Sequence, residues 1–154
     1  MQATVPASSR RAAPLYGTDF YAWTKMQAAL LQAEEFENLD LPNLIEEIEA
    51  MGNSQRSEVV NRLKVLLMHL LKWQFQEDHR SRSWRNTIKV QRWDIEAVLE
   101  DNPSLHRELP ECVAKAYPRA RKEALEETGL LHSSWPDTCP WSLEQILDEE
   151  WLPE

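Results

Sequence analysis

Glycine is scarce in this sequence: only Gly17, Gly52 and Gly129 occur among 154 residues. Three isolated glycines cannot form a phosphate-cradling loop, which needs several close together. The two cysteines, Cys112 and Cys139, form no CxxC pair. That excludes a disulfide framework, offers no zinc spacing with histidine, and points to a reducing compartment. No apolar run approaches the roughly 20 residues of a membrane-spanning helix. The best candidate, Val65 to Leu71, is short and contains His69. Sustained two-residue alternation and Asn-Gly or Asp-Gly turns are both missing, so strands have no support. Positive charge is in deficit, with 17 Lys and Arg against 26 Asp and Glu and a net charge of −9. That balance opposes nonspecific binding to nucleic acid or anionic membrane.

The residues present favour helices, with Leu, Glu and Ala outnumbering Val and Ile. Residues 1–14 (MQATVPASSRRAAP) contain no acid and no apolar core. They are expected to be a disordered tail rather than a secretory signal, although the composition also fits a transit peptide. A first helix is expected from Thr18 or Asp19 to about Glu35. Asp40 and Pro42 are a start signal for a second, because the aspartate accepts free first-turn amides and proline needs no amide partner there. Leu41, Leu44, Ile45, Ile48 and Met51 then share one face, with Glu46 pointing away. Gly52-Asn53-Ser54 is a place where this helix can break or kink before continuing from Glu58 to Phe75. From Leu63 to Phe75 it is apolar on most sides, as a central element should be. A further helix is expected over 83–100, with Trp84, Ile88, Ile95, Val98 and Leu99 inward. Ser104 is expected to cap another that ends at Gly129 and is kinked or broken at Pro110 and Pro118. His132 to Pro140 reads as an ordered loop carrying Trp135. Ser142 and Gln145 form a capping box for a short last helix. The expectation is all-α: one domain over 15–154, a compact bundle of five to six helices around a long central one that can be kinked.

These segments resemble a bacterial family known as DUF29, a domain of unknown function. The similarity is carried by Asp19-Phe20-Tyr21-Ala22-Trp23, Leu39-Asp40, Asn43-Leu44-Ile45-Glu46-Glu47-Ile48-Glu49 and Met51-Gly52. It continues through His69-Leu70-Leu71-Lys72-Trp73-Gln74, Ser81-Arg82-Ser83-Trp84, Pro103-Ser104-Leu105, Glu127-Thr128-Gly129-Leu130 and Cys139-Pro140-Trp141. The resemblance implies a bacterial helical bundle and transfers no catalytic residues.

Four constellations could carry chemistry. Arg82, Arg85, Lys89 and Arg92 are spaced three, four and three residues apart, beside Trp93, with no acid between Asp78 and Asp94. Cations on one helix face suit phosphates or an acidic protein surface, and equally a solvated face or pairing with Glu46, Glu47 and Glu49. Arg62 and His69 lie nearly two turns apart on one face, with Glu58 placed to orient the arginine. Such a pair can cleave RNA without metal: histidine moves a proton and arginine stabilises transition-state charge. The spacing looks like that of HEPN-type ribonucleases, and also fits a structural pair. Glu46, Glu47, Glu49, His69, Glu77, Asp78 and His79 include no paired Glu-x-x-His repeats, so no metal or other cofactor is expected. Cys139 reads as a packed loop residue, and no serine sits in a nucleophile motif.

The leading reading is a non-enzymatic cytoplasmic domain that binds an unknown protein partner or self-associates, away from membranes. Its candidate binding residues are Lys72, Arg82, Trp84, Arg85, Lys89 and Arg92, with Glu46 and Glu49 as counter-charges. The seven tryptophans suit core, lid or interface positions. This reading expects an exposed apolar patch, and Arg62 and His69 enclosed and paired. The alternative is a metal-independent ribonuclease using Arg62 and His69, with RNA tracking along the basic stripe. It needs both residues facing one open cleft.

Overall fold

Asp19 starts the first substantial helix by accepting the Ala22 amide at 2.9 Å, which satisfies one of the free first-turn donors. In a computed structural model describing residues 15–130 and 135–154, the regular structure is wholly helical. Six α-helices are described: α1 (Leu15–Thr18), α2 (Phe20–Gln32), α3 (Leu41–Phe75), α4 (Arg82–Asp101), α5 (Leu109–Thr128) and α6 (Leu143–Leu147). Short 3-10 turns cover Phe36–Asn38, Glu77–His79 and Pro103–Glu108. The expected tail, and residues 132–134 of the expected loop, lie outside the described residues. The chain divides into two compact units, the first ending at Ala50 and the second starting at Met51, with α3 contributing to both.

The first unit is organised around Asp40. Its carboxylate accepts the Trp23 indole N–H at 3.0 Å and the Asn43 amide at 2.7 Å, and its own backbone N–H donates to Gln27 Oε1 at 2.8 Å. The donor from Asn43, followed by that from Trp23, holds the Asp40 carboxyl below the usual carboxylate range. Trp23 and Gln27 are buried on α2. The α2 helix ends earlier than its expected limit at Glu35. Glu34 takes a left-handed conformation (φ 58°), and the Glu34 and Glu35 amides donate back to the Leu31 and Leu30 carbonyls. Glycine usually occupies that position, so the stop carries no sequence signal.

The second unit is a bundle built on the rest of α3. Val59, Leu63, Leu66, Leu67, Leu70 and Leu71 have no exposed surface. They pack with Ile88, Ile95 and Leu99 of α4, with Leu109, Cys112, Ala116, Tyr117, Ala120, Ala124 and Leu125 of α5, and with Trp135 and Ile146. Ser81 caps α4, its hydroxyl accepting the Trp84 amide at 3.1 Å. The helix expected from Ser104 starts instead at Leu109, after a 3-10 turn. Pro110 then falls in the first turn, where its missing N–H costs nothing. Pro118 lies inside α5, and Gly129 closes it in the left-handed conformation (φ 67°). The capping box of α6 forms in both directions: Gln145 N–H to Ser142 Oγ at 3.2 Å, and Ser142 N–H to Gln145 Oε1 at 2.9 Å.

The expected break at Gly52 is not there: α3 runs through it from Leu41 to Phe75. One interior glycine costs roughly 1 kcal/mol, which a cooperative 35-residue helix absorbs. A Cβ at Gly52 meets nothing within 4 Å. Gly52→Ala should therefore raise stability by about 0.5–1 kcal/mol in urea titration, and a loss would contradict the continuous helix. Leu67→Ala should lose about 2–5 kcal/mol in the same measurement.

Candidate binding surfaces

Arg62 and His69 share α3, and each is bonded inside the second unit. The Arg62 guanidinium lies between two carboxylates, with Nε 2.8 Å from Glu58 and a terminal nitrogen 2.7 Å from Asp94. His69 Nδ1 donates to the Val65 carbonyl at 2.8 Å, since a carbonyl can only accept. Burial lowers the His69 pKa below its usual 6.5, which outweighs the opposing bond to Val65. The ring is therefore neutral at pH 7.

The cations of the α4 stripe separate by environment. Arg92 is buried and donates to three carbonyls at the end of the chain: Ile146 at 2.8 Å, Glu149 at 3.2 Å and Gln145 at 3.3 Å. It fastens the end of α6 to α4. Lys72 is also buried, 2.7 Å from the Glu127 carboxylate and 4.9 Å above the half-buried Trp84 ring. Arg82, Arg85 and Lys89 are exposed on α4. Ion pairs in this unit engage Arg56, Arg62, Lys64, Lys72 and Arg121. Among the described residues, none reaches Arg82, Arg85 or Lys89. Two of them contact rings: Arg85 lies 5.6 Å from the Trp73 centroid and Lys89 4.8 Å from that of Trp93. The Trp93 ring is 46% exposed, and its N–H donates to the Glu149 carboxylate. The structure thus gathers Arg82, Arg85, Lys89 and Trp93 on one exposed face, and sets Arg92, Lys72 and Trp84 to structural contacts. Residue types alone do not sort these groups, because a buried arginine and an exposed one read alike in sequence.

In the first unit, the opening turns of α3 present Leu41, Ile45 and Ile48, which are 53, 54 and 62% exposed. Phe20, Tyr21 and Phe36 of the same unit are exposed as well. The inner contacts use other flanks of α3: Asn43 through Asp40, and Glu47, whose carboxylate accepts the Tyr16 hydroxyl at 2.6 Å. That bond is the main cause pushing the Tyr16 pKa up to about 12. Glu46 and Glu49 are exposed and form no ion pair among the described residues. The apolar periodicity was legible in sequence, but its exposure was not.

Elsewhere, burial pushes both the Cys112 and Cys139 thiols up, away from the reactive thiolate. Cys139 lines a mostly apolar cleft of about 400 Å³ with Val113, Tyr117, Trp141 and Leu143. Among the described residues, no three of His, Cys, Asp and Glu are grouped to hold a metal ion. No helix among them is long and apolar enough to cross a membrane.

Fold and surfaces together define an all-α protein with an apolar helix face and a separate basic face. The family described as "Domain of unknown function DUF29" matches residues 15–152, and the chain belongs to it. No curated protein and no solved structure matches.

The lowered His69 pKa has a consequence for stability. The unfolded chain takes up this proton near pH 6.5 and the folded chain only at lower pH. Stability should therefore fall as pH drops below 6.5, until the folded-state pKa is passed. His69→Gln should flatten that part of a urea-midpoint profile against pH. An unchanged slope would assign it to other groups.

Proposed function

We propose that this protein is a non-enzymatic binding module whose docking face is the apolar side of α3 over Leu41, Ile45 and Ile48. The observation that carries the reading is the exposure of these three side chains at helical spacing. An amphipathic helix normally turns such a face inward, and steps of four and three residues are those with which helices anchor in partners. The bonding of Arg62 and His69 supports binding over the ribonuclease alternative. The arginine is held between Glu58 and Asp94, and the neutral histidine ring is partly withdrawn from solvent. A reducing bacterial cytoplasm is the setting that fits two free thiols.

The test is site-specific photo-crosslinking in cells, with the crosslinker at position 45, 48 or, as a control on another flank of the helix, 46. Positions 45 and 48 should each give one discrete adduct, identifiable by mass, and position 46 none. No adduct at 45 or 48, or equal labelling at all three, would overturn the reading. Purified protein with RNA in a chelator should leave the RNA intact. Cleavage abolished by His69→Ala would establish the ribonuclease instead.

A further inference from the structure

We infer that the occupant of this face is a second copy of the chain, joined head to tail: the acidic, apolar first unit of one copy docks on the basic, tryptophan-bearing face of α4 in another. The inference rests on the binding reading above and names the partner.

Charge selects the pairing. Residues 15–50 hold eight acids and a single lysine, a formal charge of −7. Glu49, one turn after Ile45, is exposed beside the apolar face. Two such units placed face to face would set like charges together along the contact, which costs binding and steers against that arrangement. The occupant must instead be cationic and still cover apolar side chains.

The α4 face meets both requirements. Among the described residues, Arg82, Arg85 and Lys89 form no ion pair, although acids outnumber cations 26 to 17 in the sequence. Trp93 adds an exposed ring of the kind that anchors interfaces. The two faces also match in length. Leu41 and Ile48, like Arg82 and Lys89, lie seven positions apart, about 10 Å along a helix. A nucleic acid strand could neutralise the α4 cations but would leave the apolar face of α3 uncovered. At physiological salt, charges beyond roughly 8 Å are screened, so these local complements outweigh the total of −9 on each copy.

The contact is heterologous, so two differently damaged copies can still share one intact interface. Molar mass is measured by light scattering after gel filtration, over a range of protein concentration and at low and high salt. Wild-type protein should run above the monomer mass and shift toward monomer as salt rises. Two variants should each weaken self-association at least about tenfold, or about 1.4 kcal/mol. One is Ile45→Ser with Ile48→Ser; the other is Arg82→Glu with Arg85→Glu and Lys89→Glu. Mixed, they should form a one-to-one heterodimer. The milder Arg82→Gln with Arg85→Gln is used if the triple variant loses its helical circular dichroism. An α4 variant that associates like wild type would overturn the inference in favour of symmetric pairing. A wild-type chain that stays monomeric throughout would overturn any second-copy contact. If position 48 then still crosslinks to a different protein, the binding reading stands without this partner; with no crosslink, both fail.

Discussion

Enclosure of α3 from Val59 to Lys72 is the constraint on which the second unit depends. Six of its aliphatic side chains have no solvent exposure, so α4, α5 and the segment around Trp135 and Ile146 must all cover it. Each fully buried aliphatic side chain contributes roughly 1.5–3 kcal/mol relative to exposure, and no other element of the unit holds as many. The polar features of the bundle follow from this packing. Lys72 lies at the edge of the buried segment and is satisfied by Glu127 and the Trp84 ring. Arg92 enters the interior and donates to the carbonyls around the end of α6. A short final helix is thereby fixed by a buried arginine as well as by its own capping box.

The opening turns of the same helix behave differently. There the polar residues make the inward contacts, through Asp40, Asn43 and Glu47, while Leu41, Ile45 and Ile48 meet solvent. Such an inversion leaves an apolar face uncovered by the unit's own contacts. On α4, Arg85 and Lys89 lie over tryptophan rings, and neither is paired with a carboxylate among the described residues.

Much of the fold could be read from the chain because its signals are local. The Asp40-Pro42 start, the Ser142–Gln145 box and the Gly129 stop each depend on residues within one turn, and each lies at a helix end. The aliphatic run from Leu63 marked the central helix for the same reason. What could not be read depends on context. Gly52 is tolerated because the helix around it is long, and Glu34 ends α2 in a conformation that favours glycine. Arg82 and Arg92 are the same residue type on one helix, yet only the second is buried, through partners more than fifty residues away. The direction of the Leu41–Ile48 stripe is likewise set by tertiary bonds to Asp40 and Glu47, not by periodicity.

The central proposal is that the apolar side of early α3 docks on α4 of a second copy, while the later half of the helix is core. Amide hydrogen exchange read peptide by peptide, in dilute and in concentrated protein, tests it most directly. The account predicts that residues 59–72 exchange slowly at both concentrations, and that residues 41–50 and 82–93 become slower as concentration rises. Exchange over 41–50 and 82–93 that is the same at both concentrations would contradict it.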